Sequence, residues 1–193
     1  MKRSKRKQEI YSKAAKLFRE KGYAATSIRD IAMDVGLEPS SLYSHIKSKE
    51  EILINICFEC ADLFDEGMKI IIDKRLGAME SIMQLVDLHS EIAFYRPSSV
   101  TVFNDEWRHL PQEELKKFLD KRKIYEDHFK KIIKTGVQEK TIEKISPSTA
   151  INLIINSIKW LHFHSNRITD TDFNDKREEI KKFIQKGLQK NRN

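Results

Sequence analysis

TSIRDIAMDVGLEPSSLYSHIKSK, residues 26–49, is the stretch that decides the fold of this chain. Its first half places four apolar side chains at the i, i+3, i+4 and i+7 spacing of one helix face: Ile28, Ile31, Ala32 and Val35. Thr26 or Ser27 provides the N-cap of this helix. Gly36 follows where a helix commonly ends in a left-handed residue. The stretch therefore predicts a short helix that ends in a tight turn.

A second short helix is predicted to begin at Pro39, because the fixed φ of proline suits the first turn of a helix. Leu42 and Ile46 are spaced i, i+4 and face inward, while Leu37 fills the corner between the helices. The outward side chains are short or planar polar groups: Ser40, Ser41, Tyr43, Ser44 and His45. Such groups can approach the major groove of DNA, so the pattern indicates a helix-turn-helix. Simple packing of two helices in an all-α core is the alternative.

Basic side chains are concentrated at the start of the chain. The 193 residues contain 36 Lys and Arg against 29 Asp and Glu, a net charge of +7. Residues 1–50 alone contain 12 basic and 6 acidic side chains, and so nearly all of the excess. This distribution fits a polyanionic partner, although charge alone leaves a solvated basic face or a membrane-surface patch open. We expect the Lys/Arg-rich residues 2–7 to be disordered in the free protein and to follow the DNA backbone or minor groove.

The run from Ile10 to Leu53 resembles the DNA-binding domain of TetR/AcrR-family transcriptional regulators. The resemblance rests on GYAATSIRDIA, the VG turn, LY in the second helix and KSKEEIL at the start of the next, in that order. Ile46 departs from the family, which usually has Phe there, but remains apolar. The resemblance implies an all-α protein of about nine helices. An N-terminal three-helix helix-turn-helix domain, residues 1–50, would precede a larger helical effector-binding and dimerisation domain, residues 51–193.

The predicted DNA contacts divide by chemistry. Four residues suit phosphate oxygens, which position the protein without selecting sequence: Thr26, Ser27, Tyr43 and Lys49. Five are candidates for base edges: Arg29, Ser40, Ser41, Ser44 and His45. Arg29 would bind guanine bidentately if it reaches the groove, while Tyr43 could instead stack on a sugar or methyl group and His45 could bind phosphate.

Beyond residue 50 the sequence predicts further helices. A long helix runs from the N-cap Ser48 to about Asp73, followed by helices over 76–95, 98–109 and 112–138. Ser146 caps a helix to about Asn166, and Asp172 caps a last helix to about Lys190. The resemblance implies that these last two helices form a homodimer interface, whereas a role in the monomer core is the alternative. The interface candidates are Ile151, Ile154, Ile155, Ile158, Phe173, Ile180, Phe183 and Ile184.

An aromatic segment in the middle of the chain suggests a small-molecule site. F-x-x-E-W-R-H-L, beginning at Phe103, and K-R-x-x-Y-E-x-x-F, beginning at Lys121, are similar to TetR-family regulators of lipid and steroid catabolism that respond to acyl-CoA thioesters. That resemblance implies an acyl-CoA or fatty-acid-like effector, its chain in an apolar cavity and its phosphates near arginine. The alternative places the aromatic residues in the core and Arg108 in an ion pair. The candidates are Phe103, Trp107, Arg108, Arg122 and Tyr125.

We therefore expect a ligand-responsive repressor that binds a pseudo-palindromic DNA operator as a homodimer and is released by a small apolar or amphipathic effector. A multidrug-type sensor, an activator and a ligand-blind architectural protein are alternatives. An enzyme is not expected: Asp105, Glu106 and His109 could imitate an acid/base cluster, but no G-x-S-x-G, phosphate-binding glycine loop or H-E-x-x-H occurs. No cofactor or metal is predicted.

Cys57 and Cys60 form a C-x-x-C inside an apolar helical run with no second ligand pair, which favours buried thiols over zinc or redox chemistry. No apolar run approaches the length of about 20 residues that spans a membrane. The N-terminus lacks the apolar core of a signal peptide, so a cytoplasmic location and no membrane partner are predicted.

Overall fold

The computed structural model describes residues 5–161 and 168–190. Within these residues the protein consists of nine α-helices and a 3₁₀ turn, Trp107–His109, and it contains no β-strand beyond an isolated bridge between Ile142 and Gln189. The prediction of an all-α fold is confirmed. The helices are α1 Lys5–Lys21, α2 Ile28–Asp34, α3 Pro39–Leu42, α4 Lys49–Asp73, α5 Ala78–Tyr95, α6 Pro97–Asp105, α7 Gln112–Gln138, α8 Pro147–Lys159 and α9 Asp170–Leu188.

Local sequence signals shape the segment from α2 to α3. Ser27 is the N-cap of α2, and its side chain accepts a hydrogen bond from the Asp30 N–H at 3.1 Å while the Asp30 carboxylate accepts one from the Ser27 N–H at 2.8 Å. These hydrogen bonds from Ser27 lower the pKa of Asp30 to about 2. Gly36 has φ +66°, the left-handed conformation that the turn requires, and Pro39 occupies the first turn of α3. The predicted helix-turn-helix is therefore present.

Two predictions about helix ends need correction. Asp172 is not the cap of the last helix: Thr169 is, and Asp172 accepts a hydrogen bond from the Thr169 N–H at 3.2 Å as the reciprocal member of a capping box. Helix α3 is only one turn long, and Tyr43–His45 form a tight turn after it, because the Ser44 and His45 N–H groups bond to carbonyls three residues earlier. Helix α8 ends at Lys159, and residues 162–166 of its predicted continuation to Asn166 lie outside the described ranges.

The start of α1 also differs from the predicted disordered tail. Lys5–Lys21 is helical, the Arg6 guanidinium donates to the Val35 carbonyl at 2.8 Å, and the Lys7 ammonium donates to Glu51 at 2.7 Å. These partners hold the basic side chains against the protein surface. The prediction for residues 2–4 lies outside the described ranges.

The chain divides into two compact units. The first unit comprises Met1–Asp62 and Ser98–Asp120, and the second comprises Leu63–Pro97 and Lys121–Asn193. This division differs from the predicted boundary at residue 50. The reason lies in the core of the first unit, where Phe118 belongs to the same buried cluster as Phe18 of α1. Val102 and Leu110, also from the segment Ser98–Asp120, complete that cluster.

In the second unit, α9 packs on α5. The Phe94 and Phe173 rings stack with centroids 4.1 Å apart, and the Lys181 ammonium donates to Asp87 at 3.0 Å. Arg177 donates to Glu91 at 2.9 Å. Apolar contact and ion pairs thus attach the last helix to this unit.

Gly136 is enclosed near the end of α7, and a methyl group there is expected to destabilise the protein. A Cβ atom at this position would lie 2.8 Å from the Ala78 Cβ and also too close to Ile142. We expect Gly136→Ala to reduce the free energy of unfolding by about 1–3 kcal/mol through overpacking. Urea denaturation measures this, with Gly187→Ala as the control, because a Cβ at Gly187 meets no atom within 4 Å. An equally stable Gly136→Ala variant would contradict the packing described here.

Candidate nucleic-acid interface

The outward side chains of the α3 segment lie on the surface of the first unit. Ser40, Ser41 and Ser44 are exposed, and Tyr43 is 54% exposed, whereas His45 is half-buried. Leu42 and Ile46 anchor the segment, since both are buried in the core. The Ser44 hydroxyl donates to the Ser41 carbonyl at 2.7 Å, so it is oriented to accept a hydrogen bond from outside. Arg29, in the first turn of α2, is also exposed.

Thr26 was predicted to bind phosphate, and the structure corrects this. Its side chain is only 1% exposed, and its hydroxyl donates to the Gly22 carbonyl at 2.8 Å. A hydroxyl enclosed in this way cannot reach a phosphate. Ser27 remains exposed, but it holds the Asp30 carboxylate through the capping box.

Lys49, another predicted phosphate ligand, is tied to the turn between α1 and α2. Its ammonium donates to the carbonyls of Tyr23 and Thr26, at 3.0 and 2.8 Å, and lies 4.3 Å from the centroid of the Tyr23 ring. An ammonium group has three donors, so one remains for an outside acceptor. The lysine therefore positions the turn in addition to any contact with phosphate.

Glu51 connects the loop after α3 to α1, a role that the sequence did not reveal. Its carboxylate accepts hydrogen bonds from the Lys7 ammonium at 2.7 Å, the Tyr11 hydroxyl at 3.0 Å and the Lys47 N–H at 2.6 Å. Burial raises the pKa of Glu51, but these donors outweigh burial and lower it overall. Lys7 and Tyr11 lie 44 and 40 residues away in sequence, and no local pattern signals such a pairing.

Two further surface residues of this region were absent from the predicted set. Met33, at the end of α2, is 75% exposed. Glu38 precedes α3, is exposed, and makes no capping hydrogen bond with its side chain. Glutamate in place of a capping Ser, Thr, Asp or Asn is the signal that could have identified Glu38.

The predicted effector residues are distributed over both units. Phe103, Trp107 and Arg108 belong to the first unit, where the Trp107 ring stacks near Phe118 and the Arg108 guanidinium lies 4.4 Å from the centroid of the Trp107 ring. Arg122 and Tyr125 belong to the second unit. Neither unit contains the whole predicted set, because the aromatic residues of the segment serve two separate cores.

The second unit holds a partly buried polar pair that the sequence did not reveal. His89 Nε2 and the Tyr125 hydroxyl share a hydrogen bond of 2.6 Å, and the Phe64 ring stacks on His89 with centroids 4.6 Å apart. Burial lowers the pKa of His89 to about 4, and burial together with the charge of Asp65 raises the pKa of Tyr125. Both groups are therefore neutral at pH 7.

The apolar stripes of α8 and α9 divide between the interior and the surface. Ile154, Ile158, Phe173 and Ile184 are buried in the core of the second unit without any partner chain, so the structure corrects their assignment to a dimer interface. Phe183 is 74% exposed, and Leu153, which was not predicted, is 62% exposed. Three predicted residues are partly buried: Ile151, Ile155 and Ile180.

Cys57 and Cys60 are buried thiols that form no disulfide, as predicted. Burial, with the nearby charge of Glu106, raises the pKa of Cys57 to about 12. Across residues 5–161 and 168–190, no three His, Cys, Asp or Glu side chains are grouped so that they could hold a metal ion. None of the described helices is both long and apolar enough to cross a membrane.

Two protein-family models match the chain. The model for bacterial regulatory proteins of the tetR family matches residues 10–56, and the model for the tetracyclin repressor-like C-terminal domain matches residues 76–163. Together they cover more than two thirds of the 193 residues.

Curated relatives include transcriptional repressors. The HTH-type transcriptional repressor KstR2 of Mycolicibacterium smegmatis is 28% identical over 159 residues, which are 80% of this chain and 74% of that protein. KstR2 of Rhodococcus jostii is 33% identical over 112 residues, 58% of this chain and 55% of that protein. The biofilm operon regulator IcaR of Staphylococcus epidermidis is 40% identical over 58 residues, 30% of this chain and 31% of that protein.

Solved structures of similar fold include the ketosteroid transcriptional regulator KstR2 of Mycobacterium tuberculosis, with a TM-score of 0.87, 20% identity and coverage of 98% of both chains. AibR in complex with isovaleryl coenzyme A and operator DNA has a TM-score of 0.77 and 21% identity, covering 94% of this chain and 96% of that chain. At these identities the likeness is one of fold.

Proposed function

Because this chain belongs to the TetR family of helix-turn-helix transcriptional regulators, which bind DNA and are not enzymes, we propose that it is a repressor released from its operator by a small effector. The observation that carries this proposal is the α3 segment. Its apolar side chains are buried and its hydroxyl groups face solvent, next to a turn that Gly36 shapes. Exposed hydroxyl groups on such a segment can bond to phosphates and base edges in a major groove.

The repressor acts as a homodimer on a pseudo-palindromic operator in the cytoplasm. One short recognition segment reads too few base pairs to select a site in a genome, and two related by a dyad read two half-sites. The exposed side chains of Leu153 and Phe183 support a contact between two copies through α8 and α9, with Ile151, Ile155 and Ile180 beside them.

The effector is an acyl-CoA thioester or a related fatty-acid-like molecule. Support comes from AibR, a protein of similar fold that was solved with isovaleryl coenzyme A and operator DNA. To release DNA, the effector must favour the conformation that binds the operator poorly. A hundredfold loss of affinity requires a preference of about 2.7 kcal/mol.

Fluorescence anisotropy with DNA from upstream of the protein's own gene tests this function. We expect Tyr43→Ala to weaken binding to all sequences about tenfold, the effect of losing one hydrogen bond to a charged phosphate. Tyr95→Ala is the matched control, because Tyr95 is also an exposed tyrosine, at 64%, and belongs to the second unit. Equal affinities for both variants would contradict the proposed docking.

The same assay identifies the effector class. Long-chain acyl-CoAs, coenzyme A alone, free fatty acids and a panel of cationic drugs are added to the preformed complex. Release by acyl-CoAs alone supports the proposal, whereas release by the cationic drugs indicates a multidrug-type sensor. Transcription from the bound promoter in vitro distinguishes a repressor from an activator.

A further inference from the structure

The acidic side chains of the helix-turn-helix region are almost all paired. Between Lys5 and Glu51 there are seven, and in the described part of the chain six of them have a partner within this region. The partners are Arg6 for Glu9, Lys16 for Glu20, Lys21 for Asp30, Lys13 for Asp34, Ser48 for Glu50 and Lys7 for Glu51. The exception is Glu38, for which the described residues provide no ion pair or side-chain hydrogen bond.

Glu38 stands at the leading edge of the α3 segment. Its backbone is extended, with φ −69° and ψ 146°, and its carbonyl accepts a hydrogen bond from the Leu42 N–H at 3.0 Å. The side chain is exposed, as are those of Ser40 and Ser41 that follow it. In helix-turn-helix proteins the first residues of the second helix contact base edges in the major groove. Glu38 therefore presents an unpaired carboxylate to solvent at the start of the α3 segment.

A carboxylate on this surface makes DNA binding less favourable unless a base donates a hydrogen bond to it. An ionised carboxylate only accepts hydrogen bonds, and phosphate groups repel it. In the major groove thymine offers an acceptor and a methyl group, guanine offers two acceptors, and adenine places an acceptor beside its amino donor. Cytosine presents its N4 amino group as a donor, which is the partner that Glu and Asp select.

We infer that Glu38 accepts a hydrogen bond from the N4 amino group of a cytosine in each half of the DNA site, and so determines sequence specificity. This inference rests on the proposed function. Glu38 is a specificity residue and not an affinity residue, because its charge weakens binding to every other sequence. Replacing the cytosine by thymine exchanges the donor for an acceptor, and the expected loss of affinity is about tenfold.

Selection of DNA from a random duplex library by the full-length protein, followed by competition binding, tests the inference. The wild-type protein, Glu38→Ala and the control Glu20→Ala are compared. Glu20 is an exposed acid of α1, so its replacement removes the same charge away from α3. We expect the wild type and Glu20→Ala to select a cytosine at one position of each half-site. Glu38→Ala should lose this preference, to less than about threefold, and should bind non-selected DNA more tightly.

The outcomes separate this inference from the proposed function. If Glu38→Ala binds all DNA more tightly and still selects the wild-type motif, the carboxylate only repels the backbone and the inference is wrong. If no sequence is enriched by the wild type, both the inference and the proposed function fail. Glu38→Gln adds a positive test, because a carboxamide pairs with adenine, and the preferred base at the same position should become adenine.

Discussion

Replacing Phe118 with alanine is expected to lower the free energy of unfolding by about 3–5 kcal/mol, the usual cost of deleting a buried phenylalanine ring. The Phe118 side chain is fully buried in the core of the first unit. Its ring meets those of Phe58 and Phe103 edge to face, with centroids 6.0 and 5.3 Å apart. Truncation removes these contacts and leaves a cavity that the surrounding helices fill only in part.

Urea denaturation at a fixed protein concentration measures this loss. Leu119→Ala is the control, because Leu119 is the next residue and its side chain is 42% exposed, so its truncation should cost less than about 1 kcal/mol. Equal, small effects of the two substitutions would show that Ser98–Asp120 does not contribute to the core of the first unit.

The second large effect is a loss of folding stability at acidic pH. Burial lowers the pKa of His89 to about 4, from an ordinary value of 6.5. Between these two pH values the unfolded chain binds a proton at this residue and the folded protein does not. The free energy of unfolding therefore has its full value above pH 6.5 and decreases as the pH falls. His89 alone accounts for a decrease of about 3 kcal/mol at pH 4.

The comparison of His89→Gln with the wild type isolates this contribution, because carboxylates also affect stability in acid. Free energies of unfolding are measured from pH 7 to pH 4 for both proteins. The difference between the two curves should change by about 3 kcal/mol across this range, in favour of the variant at low pH. His128→Gln, which removes an exposed histidine of α7, serves as the control. Parallel curves for His89→Gln and the wild type would mean that the folded protein accommodates a protonated His89.

The helix-turn-helix was predictable because its determinants are local. Ser27 and Asp30 are three residues apart, and Gly36 and Pro39 act through their own backbone conformations. The same reasoning from neighbouring residues gave a wrong prediction for Thr26, which was expected to bind phosphate. A threonine before a helix is typical of an N-cap, but the following serine takes that position, and the Thr26 hydroxyl is satisfied by the Gly22 carbonyl.

The remaining differences arise from contacts between distant residues. Helical spacing identified the apolar residues of α8 and α9, but it could not show which of them face the core. Ile154 is buried and the adjacent Leu153 is exposed. Likewise, the aromatic pattern of Phe103 and Trp107 suggested one pocket, whereas both side chains pack against the core of the first unit. Such choices depend on partners far away in the sequence.

The burial of the Cys57 and Cys60 thiols determines how the protein reacts with oxidants. Thiols react as thiolates, and a Cys57 pKa of about 12 leaves almost no thiolate near neutral pH. In the folded protein Cys57 is therefore insensitive to peroxide and alkylating reagents, and Cys60 is shielded from them by its burial. A thiol can be labelled only when the first unit has opened. The fraction of labelled thiol therefore reports how often the first unit unfolds in the cell.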